Sequence, residues 1–162
     1  MKLDGFGLFV IDMKKMVCFY RDVLGFEIKE DENTTNVYLE KDGTVFLLYR
    51  RGDFEKMVNH KFDYTQMLNG HSEIALSVEN YEAVDETYNE VMKKGAISVL
   101  EPTTEPWGQR TCYIADPEGN LIEIGSFTKW IIETAMSTTQ DYMDFLFDQI
   151  DNRWNKRYKK MF

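Results

Sequence analysis

The chain has 162 residues, the length of one ordinary domain, and 43% of them are apolar. It carries 19 basic and 28 acidic residues, so the formal net charge is −9. This charge repels polyanions, and nucleic acid and anionic membrane surfaces are therefore excluded as expected partners. No run of eighteen apolar residues and no signal-peptide pattern is found, so we expect a cytoplasmic protein.

The two cysteines, Cys18 and Cys112, lie far apart and fit no metal-binding spacing such as C-x-x-C. In a reducing compartment such residues behave as small apolar side chains. We expect them to be buried and to carry no catalytic thiol chemistry.

A strand, a helix and a stop signal occur twice in the same order. The first copy has an apolar strand that ends at the helix-capping Asp12, a helix predicted over 13–24, and Gly25 as its end. The second copy has the capping residue Asn80 before a helix predicted over 81–94. The pattern indicates two copies of one module.

A β-hairpin follows each predicted helix. In the first half its strands lie within 36–50 and turn at Lys41-Asp42-Gly43; in the second they lie within 111–125 and turn at Asp116-Pro117-Glu118-Gly119. Proline presets φ and glycine accepts positive φ, so both segments are turns with a physical basis. Because one module of this size has little core of its own, we expect the two to pack as one domain.

Three stretches carry a recognisable pattern. They are FYRDVLGF at 19–26, PWGQR at 106–110 and DPEGNLIE at 116–123. Together they resemble the vicinal oxygen chelate superfamily, which contains glyoxalases, bleomycin-resistance proteins and extradiol dioxygenases. The resemblance implies an α+β fold of paired βαβββ modules whose sheets curve around a cleft.

The resemblance covers about residues 3–127. It places one glyoxalase/bleomycin-resistance-like domain at 1–127, with module one at 3–50 and module two at 71–127. Residues 128–162 lie beyond that pattern, and their own periodicity predicts a C-terminal helical extension. The resemblance does not choose an activity, because the superfamily includes lyases, isomerases, dioxygenases and binding proteins.

The resemblance also implies four metal-ligand positions, which fall on Gly5, Leu47, Glu73 and Glu123. Only the two glutamates have a donor atom, so we expect a degenerate site without a cofactor. The alternative is a divalent metal ion held by both glutamates with His71, a set that suits Mn²⁺ or Mg²⁺. The other reading of His71 is an exposed loop residue.

Glu73 and Glu123 are also the candidate catalytic residues. Strand alternation directs Glu73, Ala75 and Ser77 toward the cleft. If both glutamates face it, repulsion between them raises the pKa of one and creates a general acid or base. The alternative is that one of them is solvated or hydrogen-bonded to a neighbour.

The same alternation predicts the wall of module one. Phe6, Leu8 and Val10 are expected on the helix-covered face. The residues expected to face the cleft are mostly apolar: Gly5, Gly7, Phe9, Val45, Leu47 and Tyr49. Such a wall suits a flat or hydrophobic ligand, although the same residues could simply fill the core.

Trp107 and Arg110 lie in a Pro-Trp-Gly loop that enters a cleft strand. An indole can stack on a ligand and a guanidinium can pair with an anionic group, so both are candidate ligand-binding residues. The alternative for Arg110 is a surface ion pair with a carboxylate. His60, in the polar link at 52–70, is expected to be exposed.

The segment 128–162 has apolar residues at every fourth position from Tyr142 through Leu146, Ile150 and Trp154 to Tyr158. A helix with so wide an aromatic face must be covered by the domain's own sheet, by the cleft mouth or by a second chain. A homodimer contact is the expectation.

The leading hypothesis is a protein that binds a small organic molecule without a standard catalytic metal, as bleomycin-resistance proteins sequester a drug. The alternative is a metal-dependent lyase or dioxygenase of the glyoxalase type that uses Glu73 and Glu123. A third hypothesis is a ligand-responsive or scaffolding partner that works through 128–162. Residues 1–127 hold 13 basic and 23 acidic groups, which favours a neutral or cationic ligand.

Overall fold

The computed structural model describes residues 5–29, 33–64 and 67–127, and these form two four-stranded mixed sheets with three α-helices. Sheet A contains β1 (Phe6–Val10), β2 (Glu27–Ile28), β3 (Asn36–Lys41) and β4 (Thr44–Arg50), in the spatial order β1-β4-β3-β2. Sheet B contains β5 (Asn69–Ser77), β6 (Ile97–Thr104), β7 (Gln109–Ala115) and β8 (Asn120–Phe127), in the order β5-β8-β7-β6. The two sheets have the same topology, which confirms the predicted paired βαβββ modules. The predicted C-terminal helix lies outside the described residues.

Helix α1 (Met13–Cys18) begins where its capping residue predicts. The Asp12 carboxylate accepts the N–H of Lys15 at 3.0 Å, which satisfies one of the free donors of the first turn. The helix continues into a π-helical turn over Phe19–Val23, and Gly25 then adopts a φ of +69°. The predicted start and end are confirmed, but the last turn is wider than an α-helix.

An additional helix, α2 (Arg51–Val58), lies in the segment that the sequence predicts to be a polar link. It has no side-chain cap at its start. It is held by packing: the Phe54 ring stacks on Phe9 with 4.2 Å between centroids. Because a helix of eight residues is unstable alone, tertiary contact rather than local sequence decides that it forms.

Helix α3 (Tyr81–Lys93) is the counterpart of α1 in module two. The Asn80 side chain accepts the N–H of Ala83 at 2.8 Å, as the capping pattern predicts. Val84 and Val91 are buried against sheet B.

The core lies between each sheet and its helix. Leu8 and Val10 are buried there as predicted, and Cys112 is buried while Cys18 is half-buried. Phe6 lies on the same face, paired with Phe46 and with its ring edge-on to that of Phe46 at 6.2 Å between centroids. At the first position of β1 it is still 44% exposed.

The turn between β7 and β8 contacts module one. Asp116 is fully buried and accepts the Tyr20 hydroxyl at 3.1 Å, so one hydrogen bond joins the two modules in the interior. The same carboxylate accepts the backbone N–H groups of Glu118 and Asn120 at 2.9 and 3.0 Å. Asp116 therefore shapes its own turn and fixes that turn against module one.

Glu118 makes a second connection from this turn. Its carboxylate accepts the N–H groups of Ile11 and Asp12, each at 2.8 Å, and pairs with Arg51 at 3.1 Å. Both charged side chains are at least 87% buried, which makes this ion pair more than a surface contact.

No helix in the described ranges is long and apolar enough to cross a membrane.

Candidate ligand-binding site

Each sheet has one face that its helix covers and one that α1 and α3 leave free, here called the open face. On the open face of sheet A, Gly7 pairs with Leu47, and Leu47 pairs with Tyr38. These three residues form one row across the sheet. Leu47 is half-buried, and Tyr38 is 51% exposed.

The corresponding row of sheet B is chemically different. Ala75 pairs with Glu123, and Glu123 pairs with Tyr113. The register therefore makes Glu123 the counterpart of Leu47. Glu73, two positions before Ala75, is the counterpart of Gly5 by the same register, so the four positions that the resemblance implies are equivalent in pairs.

Glu73 and Glu123 lie on the same open face and are both hydrogen-bonded. The Tyr113 hydroxyl donates to Glu73 Oε2 at 2.9 Å, while the Thr111 hydroxyl and the Gln109 amide donate to Glu123 Oε1 at 2.9 and 3.1 Å. Burial, followed by the bond to Glu73 and the charge of Glu123, raises the pKa of Tyr113 well above its ordinary value. At neutral pH the phenol therefore stays protonated and remains a donor.

Trp107 extends this network to the rim. Its indole N–H donates to Gln109 Oε1 at 3.0 Å, and Gln109 in turn donates to Glu123. The Gln109 side chain lies over Gly125, where an added Cβ would come within 2.8 Å of Nε2. The 39% exposed indole thus marks one end of a chain of bonds that leads to Glu123.

The open face of sheet A carries an apolar pocket of about 270 Å³. Its lining includes Gly7, Tyr38, Val45 and Leu47. This volume is just below the range of about 300 to 1,000 Å³ that is usual for small-molecule sites. Gly5, Gly7, Val45 and Leu47 of the predicted wall line the pocket, together with Phe6 and Phe46.

Phe9 and Tyr49, also predicted for this wall, have another neighbour. Phe54 of α2 stacks on Phe9, and its ring meets the edge of Tyr49 at 6.0 Å. The Tyr49 hydroxyl lies 3.9 Å from the sulfur of Met57. Helix α2 therefore covers this end of the open face, so that the pocket is confined to the Gly5 end.

The side chain of Arg110 lies away from the open faces. Arg110 pairs with Ser126 in the strand register, two positions along from the pair Cys112 and Ile124. By alternation all four residues lie on the face of sheet B that α3 covers, where Cys112 and Ile124 are buried. The Arg110 guanidinium makes two bonds to Asp85 of α3, at 3.0 and 2.5 Å. The predicted role in ligand binding is therefore not supported by its position, and the surface-carboxylate alternative describes the contact.

His71 lies in β5, but the register shifts between Asn69 and Glu73. The His71 side chain is exposed, and its backbone N–H donates to Asn69 Oδ1 at 3.0 Å. Across 5–29, 33–64 and 67–127, no three or more His, Cys, Asp or Glu residues form a group that could hold a metal ion. Glu73 and Glu123 supply two carboxylates, fewer than the three or more protein ligands of a typical transition-metal site. His60 is exposed as expected, with its ring 4.7 Å from that of Phe62.

Charge is divided between the two faces of the sheets. By register and alternation the strand residues Lys41, Arg50 and Arg110 lie on the helix-covered faces. Four glutamates lie on the open faces: Glu27, Glu40, Glu73 and Glu123. These strand residues therefore put negative charge on the open faces and positive charge on the covered faces.

Four residues of the site are absent from the sequence predictions: Tyr38, Tyr113, Thr111 and Gln109. Extending strand alternation to β3 and β7 would have found the two tyrosines, because they flank Leu47 and Glu123 in the predicted hairpins. For Gln109 there was no comparable signal, since its contact depends on the space above Gly125.

Comparison with known proteins gives the same fold. The model of the Glyoxalase/Bleomycin resistance protein/Dioxygenase superfamily matches residues 2–124. The uncharacterized protein YraH of Bacillus subtilis (strain 168) is 33% identical over 127 residues, which are 76% of this chain and 97% of YraH.

Two solved structures illustrate the structural similarity. The hypothetical protein SA1046 from S. aureus has a TM-score of 0.65 and 26% identity, covering 77% of this chain and 93% of that one. A lactoylglutathione lyase from Agrobacterium tumefaciens has a TM-score of 0.61 at 20% identity, with the same coverage, and at this identity it supports the fold alone. The chain belongs to the glyoxalase, bleomycin-resistance protein and dioxygenase superfamily.

Proposed function

We propose that this protein binds a small organic molecule between the open faces of its two modules and does so without a catalytic metal ion. The observation that carries the proposal is the chemical difference between equivalent positions. Leu47 and Gly5 line an apolar pocket, whereas Glu123 and Glu73 are hydrogen-bonded carboxylates. One wall then contacts the apolar body of the ligand and the other its polar group.

The protonated hydroxyl of Tyr113 fixes which groups on this wall donate hydrogen bonds and which accept them. Its hydroxyl, whose pKa is raised, keeps a proton directed at Glu73. The Thr111 hydroxyl and the Gln109 amide both donate to Oε1 of Glu123. The second oxygen of that carboxylate then accepts a donor from the ligand, such as an amine or a hydroxyl group.

The alternative, a metal-dependent lyase or dioxygenase, requires more donors than these two glutamates supply. Elemental analysis of protein purified without a chelator separates the two functions. We expect no stoichiometric divalent metal in the unaltered protein. A stoichiometric metal that is lost in Glu123→Gln but kept in Glu86→Gln, which changes an exposed glutamate of α3, would overturn the proposal.

The binding proposal itself is tested with 2-naphthalenemethanol, a neutral flat molecule with one hydroxyl group. We expect it to raise the melting temperature of the unaltered protein. The rise should disappear in Leu47→Asp, which places a charge in the pocket, and should persist in Val99→Asp, which places the same charge at a 38% exposed position of β6. An equal rise in all three proteins would place binding elsewhere.

A further inference from the structure

Gln109 has both ends of its amide engaged on the open face of sheet B. Its oxygen accepts the Trp107 indole N–H at 3.0 Å, and its nitrogen donates to Glu123 Oε1 at 3.1 Å. The reverse orientation would set the amide oxygen against the carboxylate and the amide nitrogen against the indole N–H. Both of those contacts are repulsive, so Trp107 fixes Gln109 as a hydrogen-bond donor toward Glu123.

The absence of a side chain at position 125 makes room for this amide. Gly125 lies two positions after Glu123 in β8, and an added Cβ would come within 2.8 Å of the Gln109 nitrogen. The φ of Gly125 lies outside the left-handed region, so the backbone itself does not require glycine there. The equivalent position in sheet A, two residues after Leu47, is Tyr49. The two open faces therefore differ at this position as well.

The loop that carries Trp107 is fixed by hydrogen bonds to its backbone. The Tyr81 hydroxyl, at the start of α3, donates to the carbonyl of Gly108 at 2.7 Å. Within the loop, the N–H of Glu105 donates to the carbonyl of Gln109 at 2.7 Å, and the N–H of Gly108 donates to the carbonyl of Glu105 at 3.0 Å. The indole is therefore held in place before a ligand binds, although it is 39% exposed.

These contacts fill Oε1 of Glu123. A carboxylate has roughly two lone-pair sites on each oxygen, and at Oε1 the Thr111 hydroxyl and the Gln109 amide use both. The single proton of the Tyr113 hydroxyl is directed at Glu73, which leaves Oε2 of Glu123 to a ligand. An ammonium or hydroxyl group bonds to one oxygen, whereas a forked guanidinium or amidinium group bonds best to both oxygens at once.

We propose that Gln109 determines which donor groups the site accepts. A ligand with a single-point donor, a primary ammonium or a hydroxyl group, is bound, and a ligand with a forked guanidinium or amidinium group is disfavoured. Gln109 is a positioning residue that acts through Glu123, and Trp107 and Gly125 support it. This inference rests on the proposed function and specifies the polar group of the ligand within it.

The test compares two naphthalene probes that are both cations at neutral pH, 1-naphthylmethylamine and (1-naphthylmethyl)guanidine. Calorimetric titration into the full chain measures both dissociation constants. We expect the amine to bind about tenfold more tightly to the unaltered protein, which corresponds to one hydrogen bond to a charged group. Gln109→Met keeps the length of the side chain but removes its amide. Because Oε1 then regains a lone-pair site, we expect the preference for the amine to be lost.

Two further variants act on Gln109 without changing it. Trp107→Phe removes the indole N–H that fixes the amide, and Gly125→Ala places a methyl group where the amide lies. We expect both to reduce the preference for the amine. The matched control is Gly52→Ala, where an added Cβ meets no atom within 4 Å, and it should leave the ratio of the two affinities unchanged. Circular dichroism checks that each variant folds.

The proposed function and this inference fail in different ways. If neither probe binds to the unaltered protein, the proposed function is wrong and the inference falls with it. If both bind but the guanidine binds as tightly as the amine, or if the ratio is the same in Gln109→Met, the binding site stands and the role of Gln109 is wrong. Loss of the preference in Gln109→Met, with both probes still bound, supports the inference.

Discussion

Asp116 shows most clearly how a single residue joins the two modules. The sequence contains it only as part of a turn, yet its carboxylate accepts four hydrogen bonds, including one from the buried Tyr20 hydroxyl. A buried carboxylate with this many donors stabilises the fold because none of the donors is left without a partner.

We predict that Asp116→Ala lowers the free energy of unfolding by about 2 to 4 kcal/mol, since the buried Tyr20 hydroxyl and three part-buried donors lose their acceptor. Urea unfolding measures the change. The control is Asp63→Ala at an exposed position, for which we expect a change within about 0.5 kcal/mol. Equal losses in the two variants would show that the buried network contributes nothing.

Three acidic groups link stability to alkaline pH. Burial raises the pKa of the Cys112 thiol from its ordinary 9.0 to about 11, and burial also raises the pKa of the Tyr20 and Tyr113 hydroxyls. Above pH 9 the unfolded chain loses these protons before the folded chain does. The free energy of unfolding therefore decreases as the pH rises above 9.

The free energy of unfolding should therefore be unaffected by these groups below pH 9 and fall between pH 9 and 11. Urea unfolding at several pH values measures the slope. Cys112→Ala should make the decline shallower, and Cys18→Ala should not. A stability that stays level to pH 11 would contradict the shifts.

Among the secondary-structure elements, α2 has the largest effect on the site and was not predicted. It occupies the end of the open face where Phe9 and Tyr49 were expected to meet a ligand. Phe54 contacts both rings and also stacks on Phe62 at 5.7 Å. These contacts hold the helix in place and limit the length of the pocket.

Phe54→Ala should release α2 from sheet A and lower the free energy of unfolding by about 1 to 3 kcal/mol, because the ring is only partly buried. Trypsin should then cleave faster at Lys56 and Lys61. The matched variant Val58→Ala, at an exposed position of the same helix, should change neither quantity. Unchanged cleavage in Phe54→Ala would mean that other contacts hold α2.

A secondary-structure element can be predicted from the sequence when the residues that specify it lie within or next to that element. The starts of α1 and α3 follow from Asp12 and Asn80, whose side chains act within their own turns. The hairpins follow from glycine-containing turns. Helix α2, the bulge before Glu73 and the pairing of Arg110 with Asp85 depend on residues distant in sequence, and no local pattern specifies them.

For the whole molecule, the decisive feature is the unequal chemistry of two modules with one topology. The repeat and the four site positions could be predicted because corresponding positions can be counted from shared landmarks. The contacts of the two glutamates could not, since Tyr113, Thr111 and Gln109 reach them across neighbouring strands. The division of charge between open and covered faces also emerges only from the strand register.

This division predicts ligand selectivity. Among three naphthalene probes, we expect binding in the order 1-naphthylmethylamine, then 2-naphthalenemethanol, with 1-naphthylacetate weakest, because the open faces carry glutamates. Added salt should reduce the difference between the charged probes. Glu123→Gln should reduce it further, while Glu86→Gln serves as the control. Preferential binding of the acetate would contradict the charge assignment.

The most direct test of metal-independent binding is calorimetric titration of 1-naphthylmethylamine into the full chain, once in excess EDTA and once with added Mn²⁺. We expect saturable one-site binding with the same affinity in both solutions, and loss of that binding in Leu47→Asp. Binding that is absent in EDTA and appears only with Mn²⁺ would contradict a metal-free site and favour the metal-dependent alternative.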